Sequence, residues 1–85
     1  DDIDNIVSSY SRTSNFLIVK SLIQNNVNLS EENIDLIINC IFKEINKENI
    51  IYFTNNMHDS LTKKQVEKIW EQVKELNCNK ISNVN

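Results

Sequence analysis

Residues 25–38 read NNVNLSEENIDLII, and residues 55–70 read NNMHDSLTKKQVEKIW. Each begins with asparagines, reaches a leucine followed by a hydroxyl residue, and ends in an amphipathic run. Leu29-Ser30 returns as Leu61-Thr62, 32 residues on (61 minus 29). At the same shift Ile34, Ile37, Ile38 and Ile41 become Val66, Ile69, Trp70 and Val73. Upstream, Leu22-Ile23 corresponds to Tyr52-Phe53, with two residues inserted before the second hydroxyl.

Both hydroxyl residues stand where a helix begins. A Ser or Thr side chain just before the first turn accepts a hydrogen bond from an amide that has no partner within the helix. Gln65, three residues after Thr62, completes a reciprocal capping box. Leu29 with Ile34, and Leu61 with Val66, bracket the two caps as hydrophobic staples. Glu31 and Glu32 suit the positive end of the helix dipole. Behind the caps, Ile34, Ile37, Ile38, Ile41 and Ile45 run down one face, widened by Leu36 and Phe42. Val66, Ile69, Trp70, Val73 and Leu76 do the same in the second copy. This spacing predicts stripes that pack inward, with Trp70 in the core.

Working outward, Ile3, Ile6, Val7 and Tyr10 mark one face of an N-terminal helix. Asp1, Asp2 and Asp4 sit at its favourable end. Residues 11–14 read either as a short break or as a polar stretch inside one longer helix. Residues 16–24 are apolar nearly all round, which predicts a buried helix. A further helix is expected over residues 47–55. Its block Ile50-Ile51-Tyr52-Phe53 also suits a strand, but no second strand exists to pair with it. Residues 56–60 are expected to form a loop.

The predicted fold is therefore all-α, with four to five helices. The repeated unit is an αα-hairpin, and one hairpin cannot bury both its apolar faces alone; two stacked hairpins can. A simple four-helix bundle is the alternative. In spacing and capping pattern the arrangement resembles HEAT and armadillo-like helical repeats. It lacks the tetratricopeptide and ankyrin signatures. LTKKQVEKIW (61–70) also resembles helix openings in the armadillo-like flanks of giant ubiquitin-specific proteases; the likeness covers ten residues and brings no catalytic motif.

Composition sets further bounds. The chain has 85 residues, room for one small domain. The reading is a single helical domain over residues 1–78 and a polar tail over 79–85. Because position 1 is Asp, it is expected to be a piece of a longer or processed protein. Gly, Pro and Ala are absent, while Asn occurs 15 times and Ile 13 times. That bias points to an AT-rich genome, so the asparagines and the eight lysines beside one arginine report codon usage before function. A net charge of −3 argues against general nucleic-acid binding. The two isolated cysteines, Cys40 and Cys78, form no disulfide framework and suggest a reduced intracellular setting, cytoplasm or nucleus. No membrane span or targeting segment is present in these residues.

Chemistry-bearing candidates are few. His58-Asp59-Ser60 spells a hydrolase triad, but adjacent residues cannot converge as a triad must. A Cys40–His58 dyad needs the two brought together beside an oxyanion hole. Zinc needs about four Cys or His ligands, and the chain has two Cys and one His. Asn26, Asn28 and Ser30 mimic the start of a calcium loop, but its Gly is missing and Ile37 holds the place of its Glu. A glycine-rich phosphate loop is impossible without glycine. No cofactor is expected.

Lys63, Lys64 and Lys68 stand out, since lysine in a first turn opposes the dipole. Glu67 and Glu71 are spaced to pair with them. The functional expectation is a non-catalytic helical module for protein–protein interaction or scaffolding, not an enzyme. It takes a partner's helix or peptide through Trp70, Tyr52, Lys63 and Lys64. Homo-oligomerisation is compatible with it. The alternative is nucleic-acid binding through the lysine cluster at the start of the last helix.

Overall fold

The computed structural model describes the backbone of residues 2–84 and the side chains of residues 2–76. Among the described residues there are five α-helices and no strand: α1 (Asp2–Thr13), α2 (Phe16–Gln24), α3 (Glu31–Glu44), α4 (Lys47–Met57) and α5 (Lys63–Val84). A 3-10 turn, His58–Ser60, joins α4 to α5, so residues 56–60 are more ordered than a plain loop. Cys78 and the tail expected at 79–85 lie outside the residues whose side chains are described.

The helices form two rows. In one, α1 packs on α3 and α3 on α5; in the other, α2 packs on α4. Contacts of α1 with α2 and of α3 with α4 tie the rows together. Stacking thus proceeds helix on second-next helix, as stacked hairpins require. In the first row the N-terminal turns lie side by side. Asn33 Nδ2 donates to Asp4 Oδ1 at 3.0 Å, tying α3 to α1. Gln65 Nε2 donates to Asp35 Oδ1 at 2.9 Å and to the Glu31 carbonyl at 3.1 Å, tying α5 to α3. The three helices therefore run parallel, and carboxylates stand in the first turns of α1 (Asp2, Asp4) and α3 (Glu31, Glu32), where the dipole favours them.

The core lies between the rows. Ile34, Ile37, Ile38 and Ile41 from α3 meet Val7 and Tyr10 from α1, Val19 and Leu22 from α2, Phe53 and Met57 from α4, and Ile69 from α5. Burying each such side chain contributes about 1.5–3 kcal/mol. Tyr10, Phe16 and Tyr52 stack edge to face, with centroids 6.3 Å apart for the first pair and 6.0 Å for the second. The stripe of α3 ends one turn earlier than its spacing predicts: Ile45 is 61% exposed.

The turns show how a chain without glycine reverses direction. Ser14 (φ 58), Asn26 (φ 54) and Ile45 (φ 53) all adopt the left-handed conformation that glycine ordinarily supplies. The Ser14 amide donates to the Tyr10 carbonyl at 2.7 Å and the Ile45 amide to the Ile41 carbonyl at 3.2 Å, each closing its helix. At Asn26 the closure is a Schellman motif, with Val27 N–H donating to the Leu22 carbonyl and Asn26 N–H to the Ile23 carbonyl, both at 3.0 Å. The ambiguity at residues 11–14 resolves as a break. Ser14 ends α1, and Asn15 starts α2 by accepting from the Leu17 amide at 3.2 Å.

Both expected caps form. Ser30 Oγ accepts from the Asn33 amide at 3.1 Å. Thr62 and Gln65 make the full box: Gln65 N donates to Thr62 Oγ1 at 3.1 Å, and Thr62 N donates to Gln65 Oε1 at 2.9 Å. Asn46 caps α4 in the same way, accepting from the Asn49 amide at 3.1 Å. With that cap in place, Ile50–Phe53 is helical.

Candidate apolar groove between α4 and α5

Four consecutive apolar residues on a helix cover most of its circumference, so Ile50, Ile51, Tyr52 and Phe53 cannot all face one core. They divide. Phe53 enters the core, Tyr52 turns to α2, and Ile50 and Ile51 turn the other way, toward α5. On α5, Gln65 and Ile69 face α3, which brings Val66, Trp70 and Val73 round to face α4. The result is a groove of about 340 Å³ lined by Ile50, Ile51, Leu61, Val66, Trp70 and Val73, among others. His58 and Thr54 are its polar lining residues.

Trp70 is not a core residue, as the stripe predicted; 61% of it is exposed, and Ile51 opposite is 52% exposed. The reason is the polar anchor next to it. Gln65 is buried on α3 and fixes the rotation of α5, leaving Trp70, five residues on, at the edge of the contact. Gathered exposed apolar surface of this kind is what interaction sites are made of, whereas single exposed apolar residues are ordinary.

The other predicted partner-binding residues are dispersed. Tyr52 lies on the opposite side of α4, half-buried against Phe16, with Lys20 Nζ 5.2 Å from its ring centroid. It braces α2 and α4 and does not reach the groove. Lys63 and Lys64 are exposed in the first turn of α5. Lys68 is turned away from Trp70 toward α3, where it lines a small cleft with Phe42 and Lys43. Lys64 and Lys68, four residues apart, share one face of α5, and Lys63 stands about 100° round from Lys64. No ion pair joins them to Glu67 or Glu71; among the described residues the one ion pair within 4.0 Å is His58 Nε2 with Asp59 Oδ1, at 3.1 Å.

The hydrolytic candidates stay apart. His58 Nδ1 lies 3.1 Å from the Asn55 carbonyl, and His58, Asp59 and Ser60 are all exposed along one short turn. Cys40 packs against the core on α3, and no hydrogen bond joins it to His58 among the described residues. Nearby, burial pushes the Tyr10 hydroxyl well above the usual phenol range, with Cys40 and Glu44 adding to the rise. No group of three His, Cys, Asp or Glu able to hold a metal ion occurs among the described residues. No helix among them is long and apolar enough to cross a membrane.

Comparison with protein families, curated proteins and solved structures finds no match to this chain.

Proposed function

We propose that this chain is a non-catalytic helical interaction module that receives an amphipathic helix of a protein partner in the α4–α5 groove. The observation that carries the reading is the groove itself, with Trp70 and Ile51 exposed on facing walls. The occupant's shape follows from the packing order. The row formed by α2 and α4 is one helix shorter than the row formed by α1, α3 and α5. The groove is the next place in the short row, so its walls suit a helix laid alongside α4. Its chemistry follows from the lining, which offers apolar contact and few hydrogen-bonding groups. An amphipathic helix bound through residues at i, i+3, i+4 and i+7 meets both conditions.

The resemblance to HEAT and armadillo-like repeats adds support at the level of fold alone. A reduced intracellular setting belongs to the same proposal, since it keeps the Cys40 thiol free. The nucleic-acid alternative draws less support, because the chain carries a net charge of −3 and Glu67 and Glu71 stand among the lysines of α5.

The test is an NMR titration with a leucine-faced amphipathic helical peptide, with a scrambled peptide as control. Saturable shifts confined to Ile50, Ile51, Val66, Trp70 and Val73, lost in Trp70→Ala, support the reading. Absence of binding by the folded, monomeric protein, or equal binding at the exposed Ile6 and Leu17 on α1 and α2, overturns it.

A further inference from the structure

We infer that the helix received by this groove is the α4–α5 face of a second copy, giving a two-fold symmetric dimer in which α4 and α5 of each chain form a four-helix bundle. This rests on the groove being a helix-docking surface, as proposed above. A two-fold dimer requires one patch to be complementary to itself, and this patch is so in shape and in charge. In shape, it carries both a projecting indole, Trp70, and a depression of about 340 Å³ beside it.

In charge, Glu67 stands three residues before Trp70 and Lys74 four after it, along one edge of α5. If two α5 helices cross antiparallel at Trp70, a residue three places before the axis faces one three places after it on the other chain. Glu67 of one copy then meets the Val73-Lys74 step of the other, and symmetry makes the contact twice. Both side chains are exposed, and neither has an ion-pair partner within the chain among the described residues. A parallel crossing makes no such contact, because it leaves Glu67 of one copy and Lys74 of the other seven residues apart along the axis and on opposite edges of the interface. The antiparallel sense is thus the one the charges select.

A different apolar patch, Ile6 and Leu17 with Ile18 on α1 and α2, lacks this pattern, and nothing in the structure shows what covers it.

The experiment is sedimentation equilibrium of the full chain from micromolar to millimolar concentration, with variants confirmed as folded by circular dichroism. The expected result is a monomer–dimer equilibrium whose dissociation constant rises at least about tenfold in Trp70→Ala, as for an interface hot spot. It also rises in Glu67→Lys and in Lys74→Glu, and the double variant Glu67→Lys/Lys74→Glu restores it. A monomer throughout the range overturns the dimer, as does a dimer indifferent to Trp70 and to the charge swap. The two readings fail separately. If the chain stays monomeric while the leucine-faced peptide still shifts Trp70, the dimer is wrong and the docking groove stands; if neither occurs, both fall.

Discussion

Gln65 Nε2 donates to Asp35 Oδ1 at 2.9 Å while its Oε1 accepts from the Thr62 amide, also at 2.9 Å. One side chain therefore closes the start of α5 and fastens it to the start of α3. It is 2% exposed, while its partners Thr62 and Asp35 are half-buried, so its hydrogen bonds are partly shielded from water. Replacing it leaves the Thr62 amide and Asp35, both half-buried, without that partner.

Gln65→Ala is therefore expected to cost about 2 kcal/mol. Thr62→Ala, which removes half of the box, is expected to cost about 1 kcal/mol. Urea denaturation measures both, as a lower midpoint with an unchanged slope. A double-mutant cycle of Gln65→Ala with Asp35→Ala should show coupling on the order of 1 kcal/mol. Additivity of the two would mean that the bond does not hold α5 to α3.

Ile45 occupies a left-handed position that disfavours a β-branched residue, and its exposed side chain loses little by replacement. Ile45→Asn should relieve roughly 1 kcal/mol of backbone strain. For a domain of this size that raises Tm by about 4–8 °C. A lowered Tm would show that the isoleucine makes contacts worth more than the strain.

Trp70 is the sole tryptophan, so its emission reports the groove directly. In dilute protein it should be readily quenched by acrylamide. Trp70→Ala should change stability by no more than about 0.5 kcal/mol, whereas Phe53→Ala, which empties a core position, should cost about 3–5 kcal/mol. Comparable losses for the two would place the indole back inside the fold.

Tyr10 gives an alkaline signature. Its hydroxyl is held above the ordinary phenol value of about 10 by burial. A raised folded value means the folded chain keeps its proton where the unfolded chain has released it. The stability tied to this group is then complete below about pH 10 and declines as pH climbs past the unfolded value toward the folded one. Absorbance of phenolate followed with circular dichroism should show Tyr10 ionising only as the helices melt. Tyr10→Phe should shift alkaline unfolding to higher pH, and an unchanged alkaline limb would reject this assignment.

The fold was legible because capping and periodicity agreed at the two ends that carry the echo. Ser30, Thr62 and Gln65 each do what their positions implied, and the echo proves to be two parallel neighbours joined by a hydrogen bond between Gln65 and Asp35. The stops were less legible. Glycine ordinarily marks them, and here Ser14, Asn26 and Ile45 take its place, so Ile45 read as one more turn of stripe. The groove was hidden for a related reason. Spacing tells which residues share a face, while the direction of that face depends on a tertiary bond, and the one from Gln65 turned Trp70 outward. The sequence did hold a signal for the other wall, since Ile50–Phe53 is too long an apolar block for one face.

The place of α3 between α1 and α5, and against α4, has a kinetic meaning. Either end of the chain can fray while α3 keeps its remaining neighbours, but α3 cannot depart without stripping all of them. Its amides around Ile37 and Ile41 are thus the ones that should trade protons with solvent last, at the rate of global unfolding.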